Sequence, residues 1–324
     1  MSRIGIVGAG AFGTGLAAAL ATGNNEVVLW GRDAKQTARI DTTKMNARYL
    51  PDIQLPQSLH ATSDFNALSS LDVVLMVTPA QKLRETLASL DISSLQCPVV
   101  FCSKGIETDS GQLQSDIALA TLPNIAMAAL SGPGFASELA QGLPTALTLG
   151  SDDPALGKSL QTMLSTQSLR LYLSNDLRGV QLGGALKNVF AIACGIVVGA
   201  GLGESARAAL ITRGFAELSR LTVAMGGKHE TLIGLSGFGD LTLSCTSEQS
   251  RNFAFGLQLA KSGNLQPGKT VEGIATALAT VKLAHAHGVD MPIANQVAKL
   301  LAGDITVKKA LVNLMTRPLR QEST

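Results

Sequence analysis

Residues 3–13 read RIGIVGAGAFG. Arg3 to Val7 has the character of a short buried strand, and Gly8, Gly10 and Gly13 follow at the spacing GxGxxG. The alanine-rich segment from Thr14 to Ala21 predicts a helix, and Glu26 to Trp30 (EVVLW) predicts a second strand. Strand, glycine turn, helix, strand is the opening of a doubly wound nucleotide-binding fold. The first glycine makes the tight turn, the second lets backbone approach a diphosphate, and the third lets helix and sheet pack closely. The start of the helix then faces the anion.

The same alternation continues along the chain. Asp72 to Val77, Pro98 to Cys102, Ile125 to Leu130 and Thr145 to Leu149 are apolar runs of strand length. Between them lie helix-period segments such as Gln81 to Leu90 and Gly111 to Leu122. Such alternation predicts a mostly parallel sheet with its ligands at the carboxyl ends of the strands. Thr78, Lys104 and Gly132 fall at such ends, and Lys104 places a cation toward the crevice.

Beyond about Ser174 no strand pattern remains. Helical periodicity marks Ala206 to Met225, Arg251 to Lys261, Val271 to His285, Ile293 to Leu301 and Val307 to Met315, with turns at GLSGFGD and NLQPGK. The fold expected is therefore α/β: a Rossmann-like doubly wound domain over 1–178, then an all-helical domain over 179–324, in the manner of 6-phosphogluconate dehydrogenase. Its 324 residues suffice for two domains of ordinary size.

Composition excludes several function classes. A net charge of +2 provides no basic surface for nucleic acid or membrane lipid, so any anion site must come from a local cluster. The four cysteines, Cys97, Cys102, Cys194 and Cys245, form no CxxC pair, and the four histidines have no close ligand partners, so nothing specifies a metal. The chain opens directly into a strand, and its most apolar run, Val189 to Gly203, is shorter than a membrane span. A soluble cytoplasmic protein with reduced thiols is expected.

The stretch from Gly179 to Gly203, GVQLGGALKNVFAIACGIVVGAGLG, predicts a buried helix or helix pair. Lys187 and Asn188 interrupt it. A lysine is seldom fully buried, because its charge is costly to remove from water. Lys187 leans back over Gly183 and Gly184, a bare surface that would leave room for a small molecule beside the ammonium. The other reading is a lysine snorkelling to the surface. The apolar, glycine-rich helices could pack within one subunit or across a homodimer.

Three further clusters carry polar chemistry. Trp30-Gly31-Arg32-Asp33 closes the second strand: Arg32 suits the 2′-phosphate of NADP, and Asp33 would cap a helix or form a salt bridge, so NADP is favoured with NAD still open. Asp240 sits on the glycine-flanked turn GFGDL. Ser250, Arg251 and Asn252 open a helix with a hydroxyl, a guanidinium, an amide and free N–H groups, a set suited to phosphate. Glu272 opens the next helix and could simply favour its dipole.

GAGAFGT, CSKGIE, SGPGFA, GVQLGGALKNV, ARAALITRG, GFGDLTLSC, QSRN and TVEG occur in this order, and the whole chain resembles the bacterial NAD(P)-dependent glycerol-3-phosphate dehydrogenases. The resemblance implies reversible reduction of dihydroxyacetone phosphate to sn-glycerol 3-phosphate, a phospholipid precursor. It implies that Lys187 is the catalytic acid/base and that Lys104 contacts substrate and nicotinamide. By the same resemblance Gly132, Asp240, Ser250, Arg251 and Asn252 bind substrate. With the glycine spacing and the end of the second strand, it implies that Gly8, Gly10, Ala11, Phe12, Gly13, Arg32, Lys104, Ala136, Arg251, Val271 and Glu272 bind cofactor. Many relatives carry other residues at Ala11, Phe12 and Gly134.

The chemistry agrees with that assignment. Hydride transfer to a ketone builds negative charge on its oxygen, and a cation able to donate a proton is needed there. Burial in an apolar helix lowers a lysine pKa toward the working range. Two rivals remain at this level: a two-domain dehydrogenase of a hydroxyacid or ketopantoate-like substrate, and a non-catalytic NADP-binding protein.

Overall fold

The glycine turn joins β1 (Ser2–Val7) to α1 (Ala11–Ala21), and β2 (Asn25–Trp30) follows in parallel register, with Ile4 opposite Val27 and Ile6 opposite Leu29. The computed structural model describes the chain except residues 24, 90–96, 123, 264–270, 320 and 322–324. The expected turn NLQPGK and the expected helix end at Leu90 lie outside the described residues.

The first half continues through α2 (Ala34–Thr43), β3 (Leu59–Thr62), β4 (Val73–Met76), α3 (Leu83–Ser89), β5 (Val99–Phe101) and α4 (Gln114–Thr121). It closes with β6 (Met127–Ser131), α5 (Ala136–Ala140), β7 (Thr145–Gly150), α6 (Pro154–Leu164) and β8 (Leu169–Ser174). One eight-stranded sheet has the order β3-β2-β1-β4-β5-β6-β7-β8. All neighbours are parallel except β6 and β7, which pair antiparallel with Leu130 opposite Leu149. Their connection holds only the short α5, and it turns the chain back rather than carrying it across the sheet.

Helices cover both faces. Side chains of α1, α2, α5 and α6 (Leu16, Leu20, Ile40, Leu139, Leu160, Leu164) pack with one face of the sheet. Leu83 and Leu87 of α3 and Ile117 of α4 pack with the other. The sheet is longer than the fully apolar runs alone indicate, because β3 and β8 are edge strands. Each alternates buried residues with exposed ones, such as His60 on β3 and Arg170 and Tyr172 on β8.

The second half is helical: α7 (Leu177–Gly199), α8 (Glu204–Ala224), α9 (His229–Ile233), α10 (Asp240–Thr246), α11 (Arg251–Ser262), α12 (Glu272–Ala286), α13 (Pro292–Ala302) and α14 (Val307–Met315). A π-helical turn, Leu235–Gly239, joins α9 to α10. The stretch from Gly179 thus forms one helix rather than a pair. It begins at Leu177, where Asp176 caps it by accepting the Gly179 N–H at 2.8 Å.

With 23 residues and a mean hydropathy of 1.7 over its most apolar window, α7 is long and apolar enough to cross a membrane. The expectation of too short an apolar run is corrected here, since the helix starts well before Val189. That window is 89 % buried inside the protein, so α7 is a core helix. Its packing is met within one chain, by α8 and α10 to α13.

The tightest crossing is between α7 and α11. A Cβ at Gly195 would lie 2.0 Å from the Phe253 carbonyl oxygen, and one at Gly256 would lie 2.1 Å from that of Ile192. The two backbones therefore touch, and no side chain fits between them. Gly195→Ala should destabilise the protein by about 2–3 kcal/mol through enforced separation of these helices. A urea denaturation midpoint equal to wild type would contradict this account.

Candidate active site

Three elements bring charged side chains together at the carboxyl ends of β5 and β6. Lys104 lies in the loop after β5, Lys187 lies at the middle of α7, and Asp240 opens α10. One oxygen of Asp240 receives Lys104 Nζ at 2.7 Å and the other faces Lys187 Nζ at 3.0 Å. Lys104 Nζ also donates to the Gly132 carbonyl at 2.8 Å, and Lys187 Nζ donates to Ser244 Oγ at 2.5 Å. Ser244 stands one helical turn after Asp240 and donates weakly back to it at 3.4 Å. The Phe12 ring lies under Lys104, with Nζ 5.5 Å from its centroid.

Asp240 and Lys187 are buried, 1 % and 8 % exposed, while Lys104 is half-buried. Lys187 therefore does not snorkel to the surface. Burial pushes its ammonium below the ordinary lysine range; Asp240 opposes that shift, and Lys104 adds to it. Burial alone would raise the Asp240 carboxyl, but the two lysines outweigh it and hold the group below its usual range. Two ammonium groups share one carboxylate, so the cluster carries one net positive charge.

A second network ties this cluster to α11 and α12. Asn188 Nδ2 donates to the Lys104 carbonyl at 2.8 Å, and Asn252 Nδ2 donates to Asn188 Oδ1 at 2.8 Å. Asn252 Oδ1 in turn accepts the Gly273 N–H at 2.9 Å. Ser250 caps α11, accepting the Phe253 N–H at 3.4 Å, while Arg251 beside it is exposed. Val271 precedes α12. Glu272 opens it, with a carboxyl raised by burial against the pull of Arg251, Lys187 and Lys104.

The glycine loop forms the other end of the crevice. Gly8 has φ +129°, and a Cβ there would lie 2.8 Å from the Val77 carbonyl. A Cβ at Gly10 would meet nothing within 4 Å, whereas one at Gly13 would strike the Gly8 carbonyl at 1.9 Å. Ala11 and Phe12 form the first turn of α1, which has no side-chain cap and no acidic residue. An open cradle above Gly10 at an uncapped helix start fits a dinucleotide diphosphate.

Arg32 is exposed just beyond β2, within electrostatic reach of Glu85. Asp33 caps α2, accepting the N–H groups of Lys35 and Gln36, each at 3.1 Å. Ala136 heads α5, where its carbonyl closes on Gly15 of α1.

The structure thus joins Lys104, Gly132, Lys187 and Asp240 by direct contact, and links Asn252 to them through Asn188. Arg32 stands apart with the glycine loop. The bare surface expected at Gly183 and Gly184 is occupied by protein. A Cβ at Gly183 would lie 2.5 Å from the Ser236 carbonyl, and one at Gly184 would lie 2.2 Å from Ser131 Oγ. These glycines admit the π-helical turn and the end of β6, not a ligand.

Sequence reasoning missed Ser244, although its i+4 spacing from Asp240 in a helix was a usable signal. It also missed Ser131, whose buried hydroxyl has no hydrogen-bond partner among the described residues.

Comparison with known proteins places this geometry in one family. Residues 3–157 match the family described as NAD-dependent glycerol-3-phosphate dehydrogenase N-terminus, and residues 176–312 match its C-terminus. The chain is 49 % identical over 319 residues to a glycerol-3-phosphate dehydrogenase [NAD(P)+] of Ruegeria sp. (strain TM1040), covering 98 % of this chain and 99 % of that protein. A protein of the same name from Mesorhizobium japonicum is 50 % identical over 323 residues, covering 99 % and 94 %. The crystal structure of glycerol-3-phosphate dehydrogenase from Coxiella burnetii superposes with a TM-score of 0.91 at 37 % identity, covering 98 % and 99 % of the two chains.

Removing the shared carboxylate would leave the buried Lys187 facing the half-buried Lys104 with no counter-charge between them. Asp240→Ala should lower stability by about 3 kcal/mol, and adding Lys187→Met should recover a large part of that loss. Equal urea midpoints for the single and double variants would contradict the charge account.

Proposed function

Because the chain belongs to the NAD-dependent glycerol-3-phosphate dehydrogenase family, we propose that it interconverts dihydroxyacetone phosphate and sn-glycerol 3-phosphate with NAD(P)H. The observation that carries this reading is the Lys104–Asp240–Lys187 cluster beside an open glycine loop. A nicotinamide cofactor, when bound, supplies the hydride. The chain's own groups do the rest.

Lys187 gives a proton to the oxygen that becomes the new hydroxyl, and its lowered pKa eases that transfer. Asp240 stays ionised between the lysines, so it opposes the effect of burial on Lys187 and holds both side chains in position. Lys104, braced by the Gly132 carbonyl, adds a second positive charge where oxyanion character develops. Arg251 and the N–H groups at the start of α11 take the substrate phosphate. The Ser250 and Asn252 side chains are already engaged in a cap and in a network, so they support that start rather than stand free.

NADP is the preferred cofactor in this reading. Arg32 is exposed at the position that meets the 2′-phosphate, and Asp33, the next residue, is engaged in capping α2. We take 1–178 as the cofactor domain and 179–324 as the substrate domain, with the boundary inside the first turn of α7. Four buried, unbridged thiols suit the cytoplasm. The product would feed phospholipid synthesis.

The direct test follows NADPH oxidation with dihydroxyacetone phosphate and with unphosphorylated or carboxylated ketones. Only the phosphorylated ketone should support fast turnover. Lys187→Met should reduce kcat at least about a thousandfold while NADPH binding stays near wild type. Turnover preserved in that variant would remove Lys187 from the acid/base role. Preference for a ketoacid would instead favour a hydroxyacid dehydrogenase.

The pH profile gives a second check. Reduction requires protonated Lys187, so activity should fall on the alkaline side below the ordinary lysine range. Asp240 raises the Lys187 pKa, so Asp240→Asn should move that limb to lower pH. A limb that stayed in place or moved up would contradict the coupling.

A further inference from the structure

Asn46 belongs to neither the lysine cluster nor any motif of the sequence, yet its side chain is 1 % exposed and fully hydrogen-bonded. Its Nδ2 donates to the Ala9 carbonyl at 3.2 Å and to Thr14 Oγ1 at 2.8 Å. Its Oδ1 accepts Gln36 Nε2 at 3.3 Å, and that same nitrogen donates to the Ala9 carbonyl at 3.1 Å. Both donors and the acceptor of one amide are thus engaged. The backbone is equally pinned, because the Asn46 carbonyl accepts the N–H groups of Tyr49 at 3.0 Å and Leu50 at 2.8 Å.

Ala9 is the middle residue of the loop Gly8-Ala9-Gly10. Its carbonyl would be the wrong group to present to a diphosphate. Asn46 and Gln36 draw it to the side of α2. The peptide between Ala9 and Gly10 is trans, so the Gly10 N–H points the opposite way from that carbonyl. No hydrogen bond is made by the Gly10 N–H among the described residues. Gly10 also faces open space.

We propose that Asn46 is a positioning residue for the cofactor: with Gln36 it fixes the Ala9–Gly10 peptide plane so that the Gly10 N–H faces the diphosphate of NAD(P). This rests on the reading that NAD(P) binds at the glycine loop. Gln36 lies on α2, directly behind Arg32 and the Asp33 cap.

The test measures NADPH and NADH dissociation constants by nicotinamide fluorescence in the full-length wild type and in Asn46→Ala, Asn46→Asp, Gln36→Met and Arg32→Ala. Steady-state kinetics accompany each. Asn46→Ala should weaken both cofactors about tenfold and in the same proportion, since the diphosphate is common to them. Asn46→Asp should weaken them at least as much, because a carboxylate cannot donate to the Ala9 carbonyl and repels the anion. Gln36→Met should show a smaller loss of the same kind.

Both kcat at saturating cofactor and KM for dihydroxyacetone phosphate should stay within about twofold of wild type, which a general loss of structure would not allow. Arg32→Ala should weaken NADPH alone. If Asn46→Ala does not give a cooperative thermal melt, the isosteric Asn46→Asp and the milder Gln36→Met decide the matter. Wild-type affinity in folded variants would overturn the proposal, as would a loss confined to NADPH or a fall in kcat at unchanged affinity. If the wild type itself bound neither cofactor, the cofactor reading would fail and the proposal with it.

Discussion

Asp240 holds two lysines that nothing else in the fold would keep together. One comes from the carboxyl end of the sheet, the other from the middle of the longest core helix, and the carboxylate from the first residue of α10. Burying an ammonium is costly unless it is paired and hydrogen-bonded, and here each is both. Because one carboxylate serves two cations, the pairing is incomplete by one charge. A phosphorylated ketone brings negative charge, and its reduction puts more on the reacting oxygen. In the proposed reading the cluster gains most where an anion forms, which is the condition for accelerating the step rather than merely binding the substrate.

That arrangement dictates what α7 must be. A helix crossing a protein core is ordinarily apolar all round, and α7 nearly is. It carries Lys187 and Asn188 at consecutive positions, which point in different directions on a helix. Lys187 reaches Asp240 and Ser244, while Asn188 reaches the Lys104 carbonyl and Asn252. The glycines before and after them bring neighbouring backbone close: Gly183 meets the π-helical turn that delivers Asp240, and Gly195 meets α11. Close approach of three helices, rather than a void, is what places the polar groups within hydrogen-bond reach.

The same distinction explains how much was legible in the sequence. The glycine loop, the central strands and the longer helices of the second half follow from periodicity and turn residues, because these signals are local, whereas the short α9 and α10 on either side of GLSGFG do not. The edge strands β3 and β8 escape a search for fully apolar runs, since each buries only one face. Lys104, Lys187 and Asp240 stand out because charge in apolar or glycine-rich surroundings is conspicuous. Gly183 and Gly184 are misread for a related reason: a missing side chain marks close approach, and sequence does not say whether ligand or backbone approaches. Asn46 is an ordinary polar residue until the fold supplies a partner that lies 37 positions away.

Helix starts show how internal and external anions are apportioned across the crevice. Each helix N-terminus carries unsatisfied N–H groups and a partial positive charge. At α10 and α12 the chain supplies its own acids, Asp240 and Glu272, in the first turn. At α1 and α11 it supplies none. α1 begins with an open glycine and no side-chain cap, and α11 begins with an exposed arginine. In the proposed reading these two starts take the two anionic groups that arrive from outside, the cofactor diphosphate and the substrate phosphate. The starts with built-in acids serve the lysines instead: Asp240 contacts both, and Glu272 lies within their electrostatic reach. Had α11 opened with a carboxylate, it would compete with the substrate phosphate. Had α10 opened without one, the two lysines would repel each other out of the site. In the proposed reading, the acids at α10 and α12 and their absence at α1 and α11 leave those two starts uncontested for the anions that arrive from outside.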